Sequence, residues 1–175
     1  MTFFELYVGE VRPGYGRGSK KLGFPTANFP DFSSELKLPS NNVQRGVYYG
    51  YCMVEKDRDQ EQIRPCVTNI GLAPTFQDVR KVDDTWIMET FIIGRPRGLP
   101  DFYERKMKLL LLGFIRPEMK FDSVEELITQ ITMDVETASK LTISVLSKNK
   151  AAIKKAFQDF SLIQPFGSFI QIINK

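Results

Sequence analysis

The sequence predicts a mainly β fold, a closed antiparallel barrel followed by helix. Three observations carry that expectation. Short β-branched and aromatic runs dominate the first two thirds of the chain. Their connections are rich in glycine, proline and charge. From Asp122 onward the apolar spacing changes from strand-like to helical.

The strands can be taken in order. Leu6-Tyr7-Val8 opens the chain's first run, and residues 47–54 form a β-branched and aromatic run. Residues 63–70 pair with it in a hairpin, because the charged stretch 55–62 between them suits a solvated loop. The runs 85–93 and 106–115 are the next two strands, joined by Gly94-Arg95-Pro96-Arg97-Gly98-Leu99-Pro100. That connection is too rich in Gly and Pro to be either regular element. Ser123 and Glu126 then stand in capping-box spacing, with apolar residues at 124, 127, 128, 131, 135 and 138. This helix should pack on the barrel. A second helix is expected over 150–157, and the weakly alternating run 169–173 could add a strand.

Composition removes several function classes. At 175 residues the chain is expected to form one domain, a core of about 6–145 with an extension over 146–175. It contains no histidine, which excludes imidazole bases, His-containing zinc sites and Ser-His-Asp triads. A net charge of +3 suits an anionic ligand, or equally an ordinary solvated surface, and falls short of a nucleic-acid footprint. Cys52 and Cys66 lie in apolar runs without CxxC spacing, so a buried reduced pair is expected, with a disulfide as the alternative. The N-terminus lacks a basic n-region, and the longest apolar stretch, 109–115, is too short to span a bilayer. A soluble cytoplasmic protein without membrane or nucleic-acid partners is expected, working as a monomer.

Two features carry chemistry. In GYGRGSKKLGFPTAN, residues 14–28, four glycines interleave with Arg17, Lys20 and Lys21. Glycine lets backbone N–H groups approach an anion, and the basic side chains add charge-assisted hydrogen bonds. The segment reads either as a phosphate cradle or as a flexible basic turn; it is neither a Walker A loop nor a GxGxxG turn. The second feature is Glu89 within Trp86-Ile87-Met88-Glu89-Thr90-Phe91-Ile92-Ile93. Both faces of that strand are largely apolar, so the carboxylate should meet apolar neighbours whichever way the strand turns. Desolvation raises a carboxylate's pKa, and the residue reads as a general base poised near neutrality or as one half of a salt bridge.

Phe24-Pro25-Thr26-Ala27-Asn28-Phe29, in its GxGxGSKxLGxPTAN context, resembles the PTAN signature of the riboflavin kinases (flavokinases). Further matches follow in order. Gly46-Val47-Tyr48-Tyr49-Gly50 looks like that family's second strand, and Asn69-Ile70-Gly71-Leu72-Ala73-Pro74-Thr75-Phe76 is similar to its SIGxNPxF-like stretch. Met88-Glu89-Thr90 resembles the motif holding its catalytic carboxylate. Gly113-Phe114-Ile115-Arg116-Pro117-Glu118 and Phe121-Asp122-Ser123 look like its closing strand, loop and helix start. The resemblance covers about residues 8 to 136.

It implies a six-stranded Greek-key barrel with one long C-terminal helix, and ATP-dependent phosphorylation of riboflavin to FMN. It implies Glu89 as the base for the ribityl hydroxyl, and Thr26 and Asn28 as neutral ligands of Mg²⁺, with Zn²⁺ able to substitute. As residues i and i+2 of a strand these two point the same way, although without the resemblance Thr-Ala-Asn after proline reads as a plain turn. ATP contacts are implied at Gly14, Lys20 and Thr26, with Arg17 nearby, and at Ile92, Gly94 and Tyr103 along the nucleotide pocket. Arg116, Met119, Phe121 and Ser123 would line a flap over the flavin. Gly94 has no side chain to offer and Met119 stands where the family can have lysine, so contacts there would be backbone or apolar. For Arg116 the following Pro-Glu favours phosphate or flavin contact, with a snorkelling rim residue as the alternative. The reaction is expected to stop at FMN, because the chain has no histidine for the HxGH-type motif of the adenylyltransferase domain that bacterial relatives often carry. The rival expectation is a non-catalytic β-barrel that binds a flavin or stacks single-stranded nucleic acid on Tyr15.

Overall fold

Strands β3 (Gly46–Val54) and β4 (Arg64–Leu72) form the hairpin at the centre of a six-stranded antiparallel sheet. The structure, a computed structural model, describes residues 5–13, 22–29, 43–55, 62–72, 86–96 and 98–158. Around the hairpin lie β1 (Glu5–Glu10), β2 (Thr26–Phe29), β5 (Trp86–Ile92) and β6 (Lys106–Arg116), in the order β1-β6-β3-β4-β5-β2. β3, β4 and β5 follow one another as neighbours, and β6 returns to lie beside β3, which is the Greek-key arrangement. The chain just beyond β1 meets the other edge strand, β2, at an isolated Arg12–Asn28 bridge, where Arg12 N donates to Asn28 O at 2.9 Å. The sheet is therefore curled into a barrel-like shape rather than left open.

Two register slips between β3 and β6, at Val47/Tyr48 and Tyr49/Gly50, help produce that curl. At the second slip the strands come so close that a side chain has no room. A Cβ on Gly50 would stand 2.1 Å from the Leu110 carbonyl oxygen.

Alternation along each strand gives the sheet two buried faces. Tyr48, Cys52, Ile70, Met88, Met107, Leu109 and Leu111 fill the barrel interior. Val47, Tyr51, Val67, Leu110 and Leu112 point outward and are covered by helix α1 (Val124–Gln158). Each fully buried aliphatic or aromatic side chain contributes about 1.5–3 kcal/mol of transfer free energy. Cys52 and Cys66 are free and buried in the interior, as a reduced pair. Burial first, and then the neighbouring Cys52, push the Cys66 thiol well above its usual range.

The helix begins as its sequence predicts. Glu126 N donates to Ser123 Oγ at 3.1 Å, and Glu126 Oε2 accepts from Asp122 N at 3.2 Å. The two expected helices form one run of 35 residues, interrupted only at Asn149, whose φ of −130° is non-helical. The expected stripe is half-buried or buried from Leu127 to Ala138 and exposed only at Val124, and the packing face continues beyond it along the helix. Val124 is 51% exposed, whereas Asp134, Ala138, Thr142, Ile153, Ala156 and Phe157 are buried. Two polar residues belong to that face because their groups are satisfied locally. Asp134 meets Arg116, and the Thr142 hydroxyl donates to Ala138 O at 2.7 Å while Tyr51 Oη donates to Thr142 O at 2.8 Å. At the far end the fully buried Lys108 donates to Phe157 O, capping the last turn with a cation. The strand expected over 169–173 lies outside the described residues.

Gly50→Ala should destabilise the fold by about 3 kcal/mol, because backbone must move to admit the methyl group. Urea unfolding reads this directly as a lowered midpoint at unchanged slope.

Candidate active site on the outer face of the sheet

One register row crosses five strands. Arg116 of β6 pairs with Val47 of β3, Val47 with Asn69 of β4, Asn69 with Glu89 of β5, and Glu89 with Asn28 of β2. Directly opposed residues in an antiparallel sheet share a face, so this row presents its side chains together. The face is the outer one, since Ala27 and Phe29 on β2, and Met88 and Ile92 on β5, all point into the barrel interior. Thr26 and Asn28 therefore stand outward beside Glu89, as their i, i+2 spacing predicts.

Glu89 is half-buried, and its cross-strand neighbours are the carboxamides of Asn28 and Asn69. The sequence expectation of apolar neighbours on either face holds along the strand but not across it. Asn28 is only 8% exposed, and Thr26 lies opposite Phe91, whose ring takes an edge contact from Phe24 at 5.4 Å between centroids. The result is a patch of hydroxyl, amide and carboxylate oxygens bordered by aromatic carbon. No group of three or more His, Cys, Asp or Glu that could hold a metal occurs among the described residues. Hard oxygen donors such as these suit Mg²⁺, which keeps waters and phosphate oxygens in its shell and needs few protein ligands.

The far end of the row is anchored to the helix. Arg116 meets Asp134 in a bidentate contact, with Nε to Oδ1 at 2.9 Å and Nη2 to Oδ2 at 2.7 Å, and Gln130 Nε2 donates to Asp134 Oδ1 at 3.0 Å. Its remaining nitrogen, Nη1, donates to Pro117 O at 2.9 Å, and the guanidinium lies 6.0 Å from the Phe121 ring centroid. The side chains are 16% and 4% exposed, so the pair is largely desolvated, and losing one partner costs about 3–5 kcal/mol. Arg116 thus positions the loop that follows it. In that loop Met119 is 51% exposed, Phe121 is half-buried, and the Ser123 hydroxyl is engaged in capping the helix. Glu118 reaches back to Arg45 at 2.6 Å and lies over Gly71, where a Cβ would stand 2.3 Å from Glu118 Oε1.

The other expected positions fall elsewhere. Ile92 packs in the interior, on the opposite face from Glu89. Gly94 sits in the turn after β5 with φ +73°, and its carbonyl accepts from Arg64 Nη1 at 2.7 Å. Tyr103 is 41% exposed in the connection to β6. Gly14, Arg17 and Lys20 lie outside the described residues. Sequence reasoning did not single out Asn69, Glu118 or Asp134. Asn69 and Glu118 occur within matched motifs, but their contact with the row depends on strand register. Asp134 carried no signal, because a lone acidic residue on a helix reads as solvent-facing.

Comparison with known proteins bears on this geometry. The family model described as Flavokinase: Riboflavin kinase matches residues 5–142. A riboflavin kinase of Mus musculus is 39% identical over 132 residues, covering 75% of this chain and 77% of the mouse protein. The crystal structure of riboflavin kinase from Trypanosoma brucei has the same fold, with a TM-score of 0.65 at 22% identity over 99% of both chains. A Streptococcus pneumoniae structure described as a macrolide-efflux protein matches 77% of this chain but 38% of its own, with a TM-score of 0.58 and 27% identity. The same fold therefore also occurs as part of a longer chain. With a family model spanning most of the sequence and a relative matched over three quarters of both lengths, the chain belongs to the riboflavin kinase family.

Proposed function

We propose that the protein transfers the γ-phosphoryl group of ATP to the 5′-hydroxyl of riboflavin, giving FMN and ADP. The observation that carries the reading is the register placing Asn28 and Asn69 on either side of Glu89 on the outer face of the sheet. A non-catalytic flavin or nucleic-acid module has no use for a half-buried carboxylate between two amides. The protein works as a cytoplasmic monomer, without a membrane or nucleic-acid partner.

Phosphoryl transfer asks the protein for position and charge rather than covalent chemistry. Glu89 accepts the proton of the acceptor hydroxyl as that oxygen becomes the nucleophile. Thr26 Oγ1 and Asn28 Oδ1 would hold the Mg²⁺, with Zn²⁺ able to substitute, and the bound ion neutralises charge on the nucleotide phosphates. Gly14, Arg17 and Lys20 cradle the phosphates, while the segment from Ile92 through Gly94 to Tyr103 borders the nucleoside, Gly94 through its backbone. The loop after Arg116 covers the flavin with Met119, Phe121 and Ser123 and keeps water from the reacting phosphate. Arg116 acts through Asp134 by fixing where that loop starts.

Incubation with riboflavin, ATP and Mg²⁺ should yield FMN and ADP, with neither FAD nor pyrophosphate, by chromatography of the products. Absence of FMN overturns the reading, and FAD overturns the expectation that the reaction stops at FMN. Glu89→Gln keeps shape and loses the base, so kcat should fall by roughly 10²–10⁴ while riboflavin binding, followed by flavin fluorescence, stays near wild type. Thr26→Ala and Asn28→Ala should each shift the Mg²⁺ titration of activity to higher concentration and raise KM for ATP, with much smaller changes in riboflavin affinity. Titrations overlaying the wild type would remove both residues from the metal site.

A further inference from the structure

The row that holds Glu89 also holds a side chain with no task so far. Asn69 lies directly opposite Glu89 on β4 and is half-buried. Its amide has no hydrogen-bond partner among the described residues. Apart from Glu89, its neighbours on the same face offer none: Val67 packs on Ala138 of the helix, Val47 stands opposite on β3, and Gly71 has no side chain. Its polar atoms are not sealed from solvent, so they are available to a group that arrives at this face.

The space around it is shaped. A Cβ on Gly71 would lie 3.4 Å from Asn69 Nδ2 and 2.3 Å from Glu118 Oε1. The amide and the carboxylate of the loop after β6 thus converge on one spot, kept open by glycine. Arg45 holds Glu118 there at 2.6 Å.

Given the kinase reading above, on which this inference rests, the acceptor has its reacting hydroxyl at Glu89 and its ring under the loop that begins beyond Arg116. Val47 is covered by the helix, so the chain must leave Glu89 across β4, over Asn69 and towards Gly71, where Glu118 of that loop lies. Neighbouring strands are about 4.8 Å apart, comparable to the separation of hydroxyls two carbons apart on an extended chain. Gly71 offers no side chain there, whereas the Asn69 carboxamide can donate and accept. We propose that Asn69 is a specificity-determining residue that hydrogen-bonds an internal hydroxyl of the acceptor's polyhydroxyl chain and thereby aims the terminal hydroxyl at Glu89.

The test compares two acceptors, riboflavin and a flavin bearing an unbranched 5-hydroxypentyl chain, which keeps the terminal hydroxyl and lacks the internal ones. Wild-type protein should favour riboflavin in kcat/KM. Asn69→Ala should lower kcat/KM for riboflavin roughly ten-fold more than for the hydroxypentyl flavin, so that the preference collapses. Asn69→Ser, which keeps a shorter hydroxyl in the same space, should retain an intermediate preference and guards against a misfolded alanine variant. Equal losses on both flavins in both variants, or no loss in either, would overturn the assignment to Asn69 while leaving the kinase reading intact. Wild-type protein that phosphorylates neither flavin would overturn the kinase reading, and this inference with it.

Discussion

The antiparallel register of β2, β5 and β4 is the constraint on which the rest depends. Side chains alternate with a period of two, so a slip of one residue turns every one of them to the other face. Moved by one position, β5 would send Glu89 into the barrel interior and bring Met88 or Thr90 out beside the two asparagines. What prevents the slip is the interior itself. Met88, Ile92, Ala27 and Phe29 are all buried there, and Thr68 and Thr90 bond each other at 3.0 Å within it. Turning these outward would expose several apolar side chains at about 1.5–3 kcal/mol each. The polar patch is held in place by hydrophobic residues that never touch it.

Covering both faces of one sheet also explains the length of α1. The barrel interior is a complete core by itself, yet Val47, Tyr51, Val67, Leu110 and Leu112 would be left bare on the outside. The helix covers those residues and leaves the row from Asn28 to Asn69 partly open. Its contacts through Asp134 and Thr142 are polar, so its position is set by directional bonds as well as by apolar area.

The sequence made the strands on either side of each loop legible because their residues are strongly β-forming and their connections strongly polar. The short β2 was readable as a strand mainly through the PTAN resemblance, since four residues after a proline otherwise resemble a turn. The capping box at Ser123 and the division of the helix near residue 149 were readable from local spacing. What could not be read was anything that depends on a partner distant along the chain. Asp134 reads as a solvated acid until Arg116 is beside it, and Asn69 reads as an ordinary strand amide until the register sets it against Glu89. The apolar stripe was legible from Leu127 to Ala138 and failed only at Val124, for a related reason. Periodicity reports which face of a helix is apolar, not where along its length the sheet lies beneath it.

Strand β6 grips the helix at two places, Arg116 on Asp134 near one end and Lys108 on Phe157 near the other. A single strand thereby fixes both the rotation and the length of the helical segment between those contacts. One inserted or deleted residue there would turn everything beyond it by about 100° and carry one of the two acceptors away from its cation. Asn149, already outside helical geometry, is the place in the described helix where such a change could be absorbed without unwinding a turn. Among natural variants of this chain, length changes between residues 134 and 157 should therefore be rare, and those that survive should cluster at that break.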